Sequence, residues 1–179
     1  MPTVLVVSDT HGSSEYIQKV LHQVAGRTLD LVIHLGDDFS DAEPFMAAGY
    51  YVERIPGTWC PAYEDPFIEN RRFIDVQGWT LFLTHTPTVD YHDFSTDPVP
   101  EKILNNQICD LFLHGHTHRP AIRREGRTIV LNPGHLKKGD TRGYPPTYAI
   151  LEFTDEALVI MLTELLKNTP YLTERFKKL

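Results

Sequence analysis

Short apolar runs that stop abruptly at polar clusters are the feature of this sequence that most constrains its fold. TVLVVSD, from Thr3 to Asp9, is apolar and β-branched until its last two residues, and LVIH, from Leu31 to His34, repeats the pattern before GDD. Runs of this length and composition are typical of strands that are covered on both faces. We therefore expect these strands to lie inside a layered α/β protein.

A helical pattern separates these two runs. Residues 15–25 place apolar side chains at helical spacing, and Gly26 follows them. The order strand, helix, strand indicates a right-handed crossover between two parallel strands.

Further strands and helices are predicted along the rest of the chain. The predicted strands are YYVERI, RRFIDV, TLFLTH, DLFLHGHTH, PAIRR, TIVLN, TYAILEF and ALVIMLTEL, and the predicted helices are AEPFMAAG and PEKILNNQ. No repeat or linker divides the chain. We predict one domain over residues 1–179, an α/β four-layer α-β-β-α sandwich in which helices flank two mixed sheets.

The final segment, residues 166–179, is predicted to form a helical extension. Pro170 suits a first helical turn, and Leu172, Phe176 and Leu179 lie at i, i+4 and i+7 spacing. Such an apolar stripe docks either on the sheet of its own chain or on a second subunit. Of these two, a homodimer is our prediction.

Composition disfavours nucleic acid as a partner, a membrane span and a disulfide framework. The 179 residues are 41% hydrophobic and carry a formal net charge of −7, which disfavours nucleic acid because phosphate backbones are bound by clustered Lys and Arg. No apolar run approaches the roughly 20 residues of a membrane span, and the first residues lack the basic start of a signal peptide. Cys60 and Cys109 are too few for a disulfide framework. We expect a cytoplasmic protein with two reduced thiols.

Potential metal ligands follow four of the apolar runs. They are Asp9 and His11 in SDTH, Asp37 in GDD, His85 in THT, and His116 and His118 in GHTH. Loops after the carboxyl ends of strands meet at one edge of an α/β sheet, so these residues are expected to converge. Mixed carboxylate and imidazole ligation suits zinc, manganese or iron.

The spacing within two of these clusters has a physical meaning. Asp9 and His11, like His116 and His118, are two residues apart, so on extended backbone their side chains point the same way. A glycine precedes the ligands of GDD and of GHTH, where tight turns or close approaches are common. Either pair alone is more often incidental than functional, and the combination is what carries the interpretation.

The order DTH, GDD, TH, GHTH and NPG resembles the calcineurin-like metallophosphoesterase superfamily, most closely its small bacterial and archaeal phosphodiesterase branch. The resemblance spans Val4 to Phe153. It implies a metal-dependent phosphodiesterase with two divalent ions, for which Mn²⁺ is expected and Zn²⁺, Fe²⁺ or Ni²⁺ are alternatives. A hydroxide bridging the two ions would be the nucleophile that attacks a small phosphodiester substrate.

The resemblance also implies roles for individual residues. The implied metal ligands are Asp9, His11, Asp37 and His118 for the first ion, with Asp37 bridging to the second, which His85 and His116 complete. Asp37, His85 and Thr58 are the implied catalytic residues.

The chain departs from the family pattern at the second ion. Thr58 stands where the family has a metal-binding Asn, and Cys60 aligns with the Asp that follows it. Trp59 occupies the position where some members carry a histidine, a candidate proton donor to the leaving group. We therefore expect a weakened second metal site and a preference for phosphodiesters with good leaving groups.

Other residues have competing interpretations. His135, in NPGH, either faces the cleft or is an ordinary exposed loop histidine. His34 and His114 lie inside apolar strands and are expected to be hydrogen-bonded core residues. Trp59 and Tyr63 suit stacking on a nucleobase, although packing of their loop explains them equally well.

Two further functions remain as alternatives. A protein-binding scaffold on the same fold, as in the retromer subunit of the superfamily, needs no metal ligands, and this chain has six. A nuclease is disfavoured by the acidic charge. The metal-dependent phosphodiesterase is thus our leading hypothesis.

Overall fold

Two β-sheets stacked face to face form the chain in a computed structural model, which describes residues 1–179. The strands are β1 (Thr3–Val7), β2 (Leu31–His34), β3 (Val52–Arg54), β4 (Arg71–Val76), β5 (Trp79–Thr84), β6 (Leu111–His114), β7 (Ala121–Glu125), β8 (Thr128–Asn132), β9 (Thr147–Phe153), β10 (Ala157–Glu164) and β11 (Thr169–Lys177). The helices are α1 (Ser14–Val24), α2 (Glu43–Ala47) and α3 (Pro100–Asn105), with 3-10 turns at Phe39–Ala42 and Pro61–Glu64.

Both sheets are mixed, as predicted. One has six strands in the order β11-β10-β9-β1-β2-β3, and the other has five in the order β4-β5-β6-β8-β7. β1, β2 and β3 are parallel to one another, as are β5, β6 and β8, whereas the remaining pairs are antiparallel. Parallel strands therefore form the centre of the five-stranded sheet and one side of the six-stranded sheet, as far as its β3 edge.

The core lies in layers on both sides of each sheet. Nineteen buried apolar residues, drawn from both sheets, fill the space between them. Val4 and Val6 of β1 point into this layer, whereas Leu5 and Val7 point outward to pack against α1 and α2. α3 covers part of the outer face of the five-stranded sheet. The predicted α-β-β-α order is confirmed, and burial on both faces explains the continuous apolar runs.

Backbone contacts join the loops at the carboxyl ends of the parallel strands. The Asp9 N–H donates to the Gly36 carbonyl at 3.1 Å, and the Gly115 N–H donates to the His85 carbonyl at 3.0 Å. The two sheets are linked at this edge of the sandwich, formed by the loops after the parallel strands, which we call the rim. There His85 Nδ1 lies 2.8 Å from the Leu35 carbonyl. The rim is therefore one continuous structure rather than two separate sheet edges.

The predicted helix at the C-terminus is wrong, because residues 169–177 form the edge strand β11. It pairs with β10 along its length, and a register shift near Pro170 accommodates the proline. Leu172 and Phe176 pack against the layer between the sheets. Residues four apart share a face in a strand as well as in a helix, and the Thr and aromatic residues of this segment favour a strand. The apolar stripe thus docks on the sheet of its own chain.

Two predictions about membranes and thiols can be compared with the fold. The longest helix, α1, has 11 residues, and none is long and apolar enough to cross a membrane. Cys60 and Cys109 are both free thiols, and burial raises the pKa of Cys109 to about 12.

Docking of β11 on the core leads to a stability prediction. Phe176→Ala should lower the free energy of unfolding by about 1–2 kcal/mol, less than a fully buried phenylalanine because the ring is only half-buried. Tyr171→Ala, on the same strand but 43% exposed, is the matched control and should change it by less than about 0.5 kcal/mol. Urea unfolding of both variants measures the difference. Equal losses would contradict the packing of Phe176 on the core.

Candidate metal centre

Strained backbone marks the residues that end the parallel strands. Five of the six predicted metal ligands have positive φ: Asp9 (52°), His11 (46°), Asp37 (86°), His116 (65°) and His118 (58°). Only three other non-glycine residues do so, each next to a turn between secondary-structure elements. A non-glycine residue in this region costs on the order of 1–2 kcal/mol, and such residues cluster at functional sites. These backbone conformations change the direction of the chain shortly after each strand, in the segments that carry the predicted ligands.

Four of the predicted ligands meet at one point. His11 Nε2 lies 2.6 Å from Asp37 Oδ2 and 3.1 Å from His118 Nε2. His118 Nε2 in turn lies 3.3 Å from Asp9 Oδ1. Residues from three separate loops thus place their nitrogen and oxygen atoms within a few ångströms of one another.

This cluster fits a divalent cation. Metal–ligand bonds of about 2.1 Å place neighbouring ligand atoms about 3.0–3.4 Å apart. The His11–His118 and His118–Asp9 contacts lie in this range, whereas His11 and Asp37 are closer, at 2.6 Å. Asp37 Oδ2 is buried and accepts no well-aligned hydrogen bond, even though it touches His11. A buried carboxylate oxygen without such a partner is costly unless a cation binds it.

The two remaining predicted ligands lie side by side. The rings of His85 and His116 are 5.2 Å apart in an edge-to-face arrangement. His85 Nδ1 donates to the Leu35 carbonyl, which leaves Nε2 as the atom available for a metal. A backbone contact holds His116 beside the first cluster, because its N–H donates to Asp9 Oδ2 at 2.9 Å.

Thr58 is buried next to the loop that carries Asp37. The N–H of the preceding Gly57 donates to the Asp37 carbonyl at 3.0 Å. Thr58 Oγ1 has no hydrogen-bond partner although it is buried. An unpaired buried hydroxyl costs about 1–3 kcal/mol and is therefore a candidate contact for a ligand.

Glycine is required where the loops cross. A Cβ added at Gly115 would overlap the Ser8 side chain and lie 2.7 Å from Asp9 Oδ2. Gly115 thus permits the GHTH loop to approach Asp9, as the position of this glycine before the ligands predicts.

The protonation of these residues suits cation binding. Burial opposes ionisation of Asp9, but its hydrogen bond with His118 and the nearby charges of His85 and His118 outweigh burial and lower the pKa to about 2. Burial, followed by the charge of His85, lowers the pKa of His116. A carboxylate and a neutral imidazole are the forms that bind metals.

Two residues that sequence reasoning missed or misplaced support His118. Asp140 Oδ1 accepts a hydrogen bond from His118 Nδ1 at 2.7 Å, which directs Nε2 towards the cluster. His135 is neither exposed nor at the cleft surface, as it is buried and stacks on His118 at 5.2 Å. Its own ring nitrogens are engaged by the Tyr144 carbonyl and the Lys137 N–H. No local pattern around Asp140 indicates this contact.

The core histidines behave as predicted. His34 contacts Thr10 Oγ1 at 3.2 Å and accepts a hydrogen bond from the Gly36 N–H, so it holds the turn before Asp37. His114 contacts the Gly115 carbonyl at 3.0 Å. Burial lowers the pKa of each to about 4. Both rings are neutral structural residues.

The two aromatic residues near Thr58 differ in availability. Tyr63 is buried, and its hydroxyl donates to Asp93 at 2.6 Å, so stacking of Tyr63 on a ligand is excluded. Trp59 is 74% exposed. Only Trp59 is accessible to a ligand.

Known proteins are similar to this chain in sequence or in fold. Among curated proteins, a probable metallophosphoesterase of Mycoplasma pneumoniae is 27% identical over 158 residues, covering 86% of this chain and 91% of the relative. Phosphodiesterase YfcE of Escherichia coli K12 is 26% identical over 187 residues, covering 92% of this chain and 94% of the relative. Vacuolar Protein Sorting 29 from Cryptosporidium parvum has the same fold, with a TM-score of 0.75, 17% identity and coverage of 99% and 98%.

A family model agrees with these relatives and with the order of the candidate ligands. The model of the calcineurin-like phosphoesterase superfamily domain matches residues 3–156, which include every residue of the two clusters. The chain belongs to the calcineurin-like phosphoesterase superfamily.

Proposed function

We propose that this protein is a phosphodiesterase that uses two divalent metal ions, held by Asp9, His11, Asp37 and His118 and by Asp37, His85 and His116. The observation that carries the proposal is the convergence of strained ligand residues at one rim. Membership of the superfamily supports phosphoester hydrolysis, and the relative named phosphodiesterase YfcE supports diesters as substrates.

The proposed chemistry divides between the metals and the chain. The two cations would supply a hydroxide nucleophile near neutral pH and neutralise charge on the phosphoryl oxygens. Asp37 would contribute a ligand to both cations, and its carboxylate would lower their mutual repulsion. The Leu35 carbonyl and Asp140 orient His85 and His118, so the ligands need little rearrangement when metal binds.

Several finer features complete the proposal. Mn²⁺ is the expected metal, with Zn²⁺, Fe²⁺ or Ni²⁺ as alternatives, because the ligand set mixes imidazole and carboxylate. The substrate is a small phosphodiester, since a net charge of −7 disfavours nucleic acid. A homodimer and a cytoplasmic location stay predictions.

A protein-binding scaffold is the second candidate. It is favoured by Thr58, which replaces an amide ligand, and by the shared fold with Vacuolar Protein Sorting 29. The converging ligands favour the enzyme, because a scaffold has no chemical need for strained metal-binding residues.

Hydrolysis assays separate the two candidates. Protein stripped with chelator is reloaded with Mn²⁺, Zn²⁺ or Ni²⁺ and assayed with bis(4-nitrophenyl) phosphate and with 4-nitrophenyl phosphate. We expect metal-dependent hydrolysis that is faster for the diester. If no metal restores hydrolysis of either compound, the scaffold is the correct function.

Loss of Asp37 should remove tight metal binding at both positions. It is the only shared ligand, so Asp37→Ala leaves two cations without a screening carboxylate. Asp38→Ala is the matched control, because Asp38 is exposed and adjacent. Metal content per chain, measured after gel filtration, should approach zero in Asp37→Ala and stay unchanged in the control. Unchanged content in both variants would refute the assigned ligands.

Thr58 should limit the second metal. A hydroxyl is a shorter and poorer donor than an amide, so Thr58→Asn should raise both Mn²⁺ affinity at the second position and the rate of diester hydrolysis. One positioned donor is worth on the order of 100-fold in comparable sites. Thr58→Val keeps the side-chain shape without a donor and should not gain. Mn²⁺ titration of activity tests this, and a wild type saturated at one equivalent with Thr58→Asn no faster would contradict it.

Asp140 should set the affinity of the first metal through His118. Asp140→Asn keeps the side-chain size but weakens the hydrogen bond to Nδ1, so the affinity should fall about 10–100-fold. Asp155→Asn changes an exposed carboxylate in the turn after β9 and serves as the control. Competition with a fluorescent chelator measures both. Equal affinities would show that Asp140 does not orient the ligand.

A further inference from the structure

A pocket of about 270 Å³ opens beside Thr58. The pocket is lined by Thr58, Trp59, Cys60, Pro61, Glu64 and His92. A hydrogen bond from the Gly57 N–H to the Asp37 carbonyl joins the loop of Thr58 to the loop that carries Asp37, so the pocket adjoins the candidate metal centre. His92 comes from a different loop, the one that follows His85. We name this the Trp59–His92 pocket.

His92 is paired with a carboxylate. Asp90 Oδ1 lies 2.8 Å from His92 Nδ1 and also accepts the His92 backbone N–H at 3.0 Å. An ionised carboxylate only accepts hydrogen bonds, so Nδ1 carries the proton that is shared with Asp90. Nε2 makes no hydrogen bond within the chain and is the atom left for a ligand.

Asp90 is ionised beside His92. Burial opposes the charge of Asp90, but the hydrogen bonds from His92 outweigh burial and lower the pKa of the carboxyl, with a smaller contribution from His116. Because the carboxylate accepts the Nδ1 proton, any second proton on the ring is bound at Nε2.

The loop that carries the pair is held rigidly. Asp93 Oδ2 accepts the Asp90 N–H at 2.9 Å, while Asp93 Oδ1 accepts hydrogen bonds from the Tyr63 hydroxyl at 2.6 Å and from Arg71 Nη2 at 2.9 Å. The Arg71 side chain is 1% exposed. Tyr63 belongs to the loop of Trp59, so Asp93 joins the two walls of the pocket and fixes their separation.

Aromatic packing fixes the ring of His92. The Trp59 ring meets it edge to face at 4.8 Å, and the Tyr91 ring lies 3.7 Å away on another side. Both rings and Asp90 contact His92, and these contacts favour the orientation in which Nε2 is the unpaired nitrogen. Such preorganisation is what a proton donor in catalysis requires.

Hydrolysis of a phosphodiester with a poor leaving group needs a proton at the leaving oxygen. The bond from the hydroxide oxygen to phosphorus forms while the bond from phosphorus to the leaving oxygen breaks, and the departing oxygen keeps the electron pair. We propose that His92, protonated at Nε2, transfers its proton to this oxygen, with Asp90 as the positioning residue and the Trp59–His92 pocket as the leaving-group site. Neutral His92 then regains a proton from solvent. This inference rests on the proposed phosphodiesterase activity.

The inference changes the expected substrate preference. With Trp59 in the loop after Gly57, the sequence predicts a site without acid assistance and hence a preference for good leaving groups. A proton from His92 extends the reaction to poorer leaving groups, such as simple phenols and alcohols.

The test compares leaving groups rather than a single rate. Aryl methyl phosphates, from 4-nitrophenyl to unsubstituted phenyl, are assayed with Mn²⁺-loaded wild type, His92→Gln, Asp90→Asn and the control His22→Gln, an exposed histidine on α1. Removing a general acid costs about 100-fold or more where the leaving group needs a proton. For His92→Gln we expect kcat to fall about 100-fold or more with the phenyl ester and by less than about threefold with the 4-nitrophenyl ester. Asp90→Asn should show an intermediate dependence on the leaving group, and His22→Gln should show no change.

A measurement on metal-free protein is independent of activity. Nitrogen-15 NMR should show neutral His92 as the Nδ1–H tautomer in wild type, with redistribution towards Nε2–H in Asp90→Asn. Thermal melting of the variants confirms that they fold.

The outcomes separate the two proposals. Rates that fall equally for all leaving groups in His92→Gln, or a wild-type His92 in the Nε2–H tautomer, would overturn the role of His92 and leave the phosphodiesterase intact. Hydrolysis of none of the esters by wild type would overturn the phosphodiesterase, and the role of His92 with it.

Discussion

The turns that follow the parallel strands are the constraint on which the rest of this structure depends. β1 ends at Val7 and β2 ends at His34, and shortly after each strand the chain turns through positive φ, at Asp9 and at Asp37. Left alone, such turns would relax, since each costs on the order of 1–2 kcal/mol. The nineteen-residue layer between the sheets offsets that cost by fixing the strand ends. Apolar packing between the sheets thus holds the predicted metal ligands in position at the rim.

A second set of contacts, hydrogen bonds to histidine rings, orients the side chains at the rim. His34 fixes the turn at Gly36, the Leu35 carbonyl fixes His85, and Asp140 fixes His118. The same design recurs in the Trp59–His92 pocket, where a carboxylate orients an imidazole and a buried arginine anchors the carboxylate loop. In each case a histidine nitrogen is directed by a hydrogen bond at the opposite side of its ring.

The sequence predicts the parts of this structure that depend on local pattern. Apolar runs predict the buried strands, and the position of Asp9, Asp37 and His118 after such runs predicts their convergence. The tail was mispredicted because the spacing of Leu172 and Phe176 suits either a strand or a helix, and only pairing with β10 decides between them.

Contacts between distant loops could not be predicted. Asp140 lies 22 residues from His118, and its surroundings look like an ordinary polar turn. His135 is buried and stacks on His118, a contact between distant residues that the NPGH segment does not indicate. The pairing of Asp90 with His92 is local, but its place beside Thr58 depends on Asp93 reaching Tyr63.

The order of the strands has a consequence for synthesis of the chain. Among the strands, β1 is synthesised first, yet one of its two partners, β9, is followed in the chain only by β10 and β11. His11 and His118, which touch at the rim, are 107 positions apart. A nascent chain therefore carries a half-paired apolar strand and scattered imidazoles for most of translation, a state prone to aggregation. The cluster of Asp9, His11, Asp37 and His118 therefore cannot form until the loop that carries His118 has been synthesised.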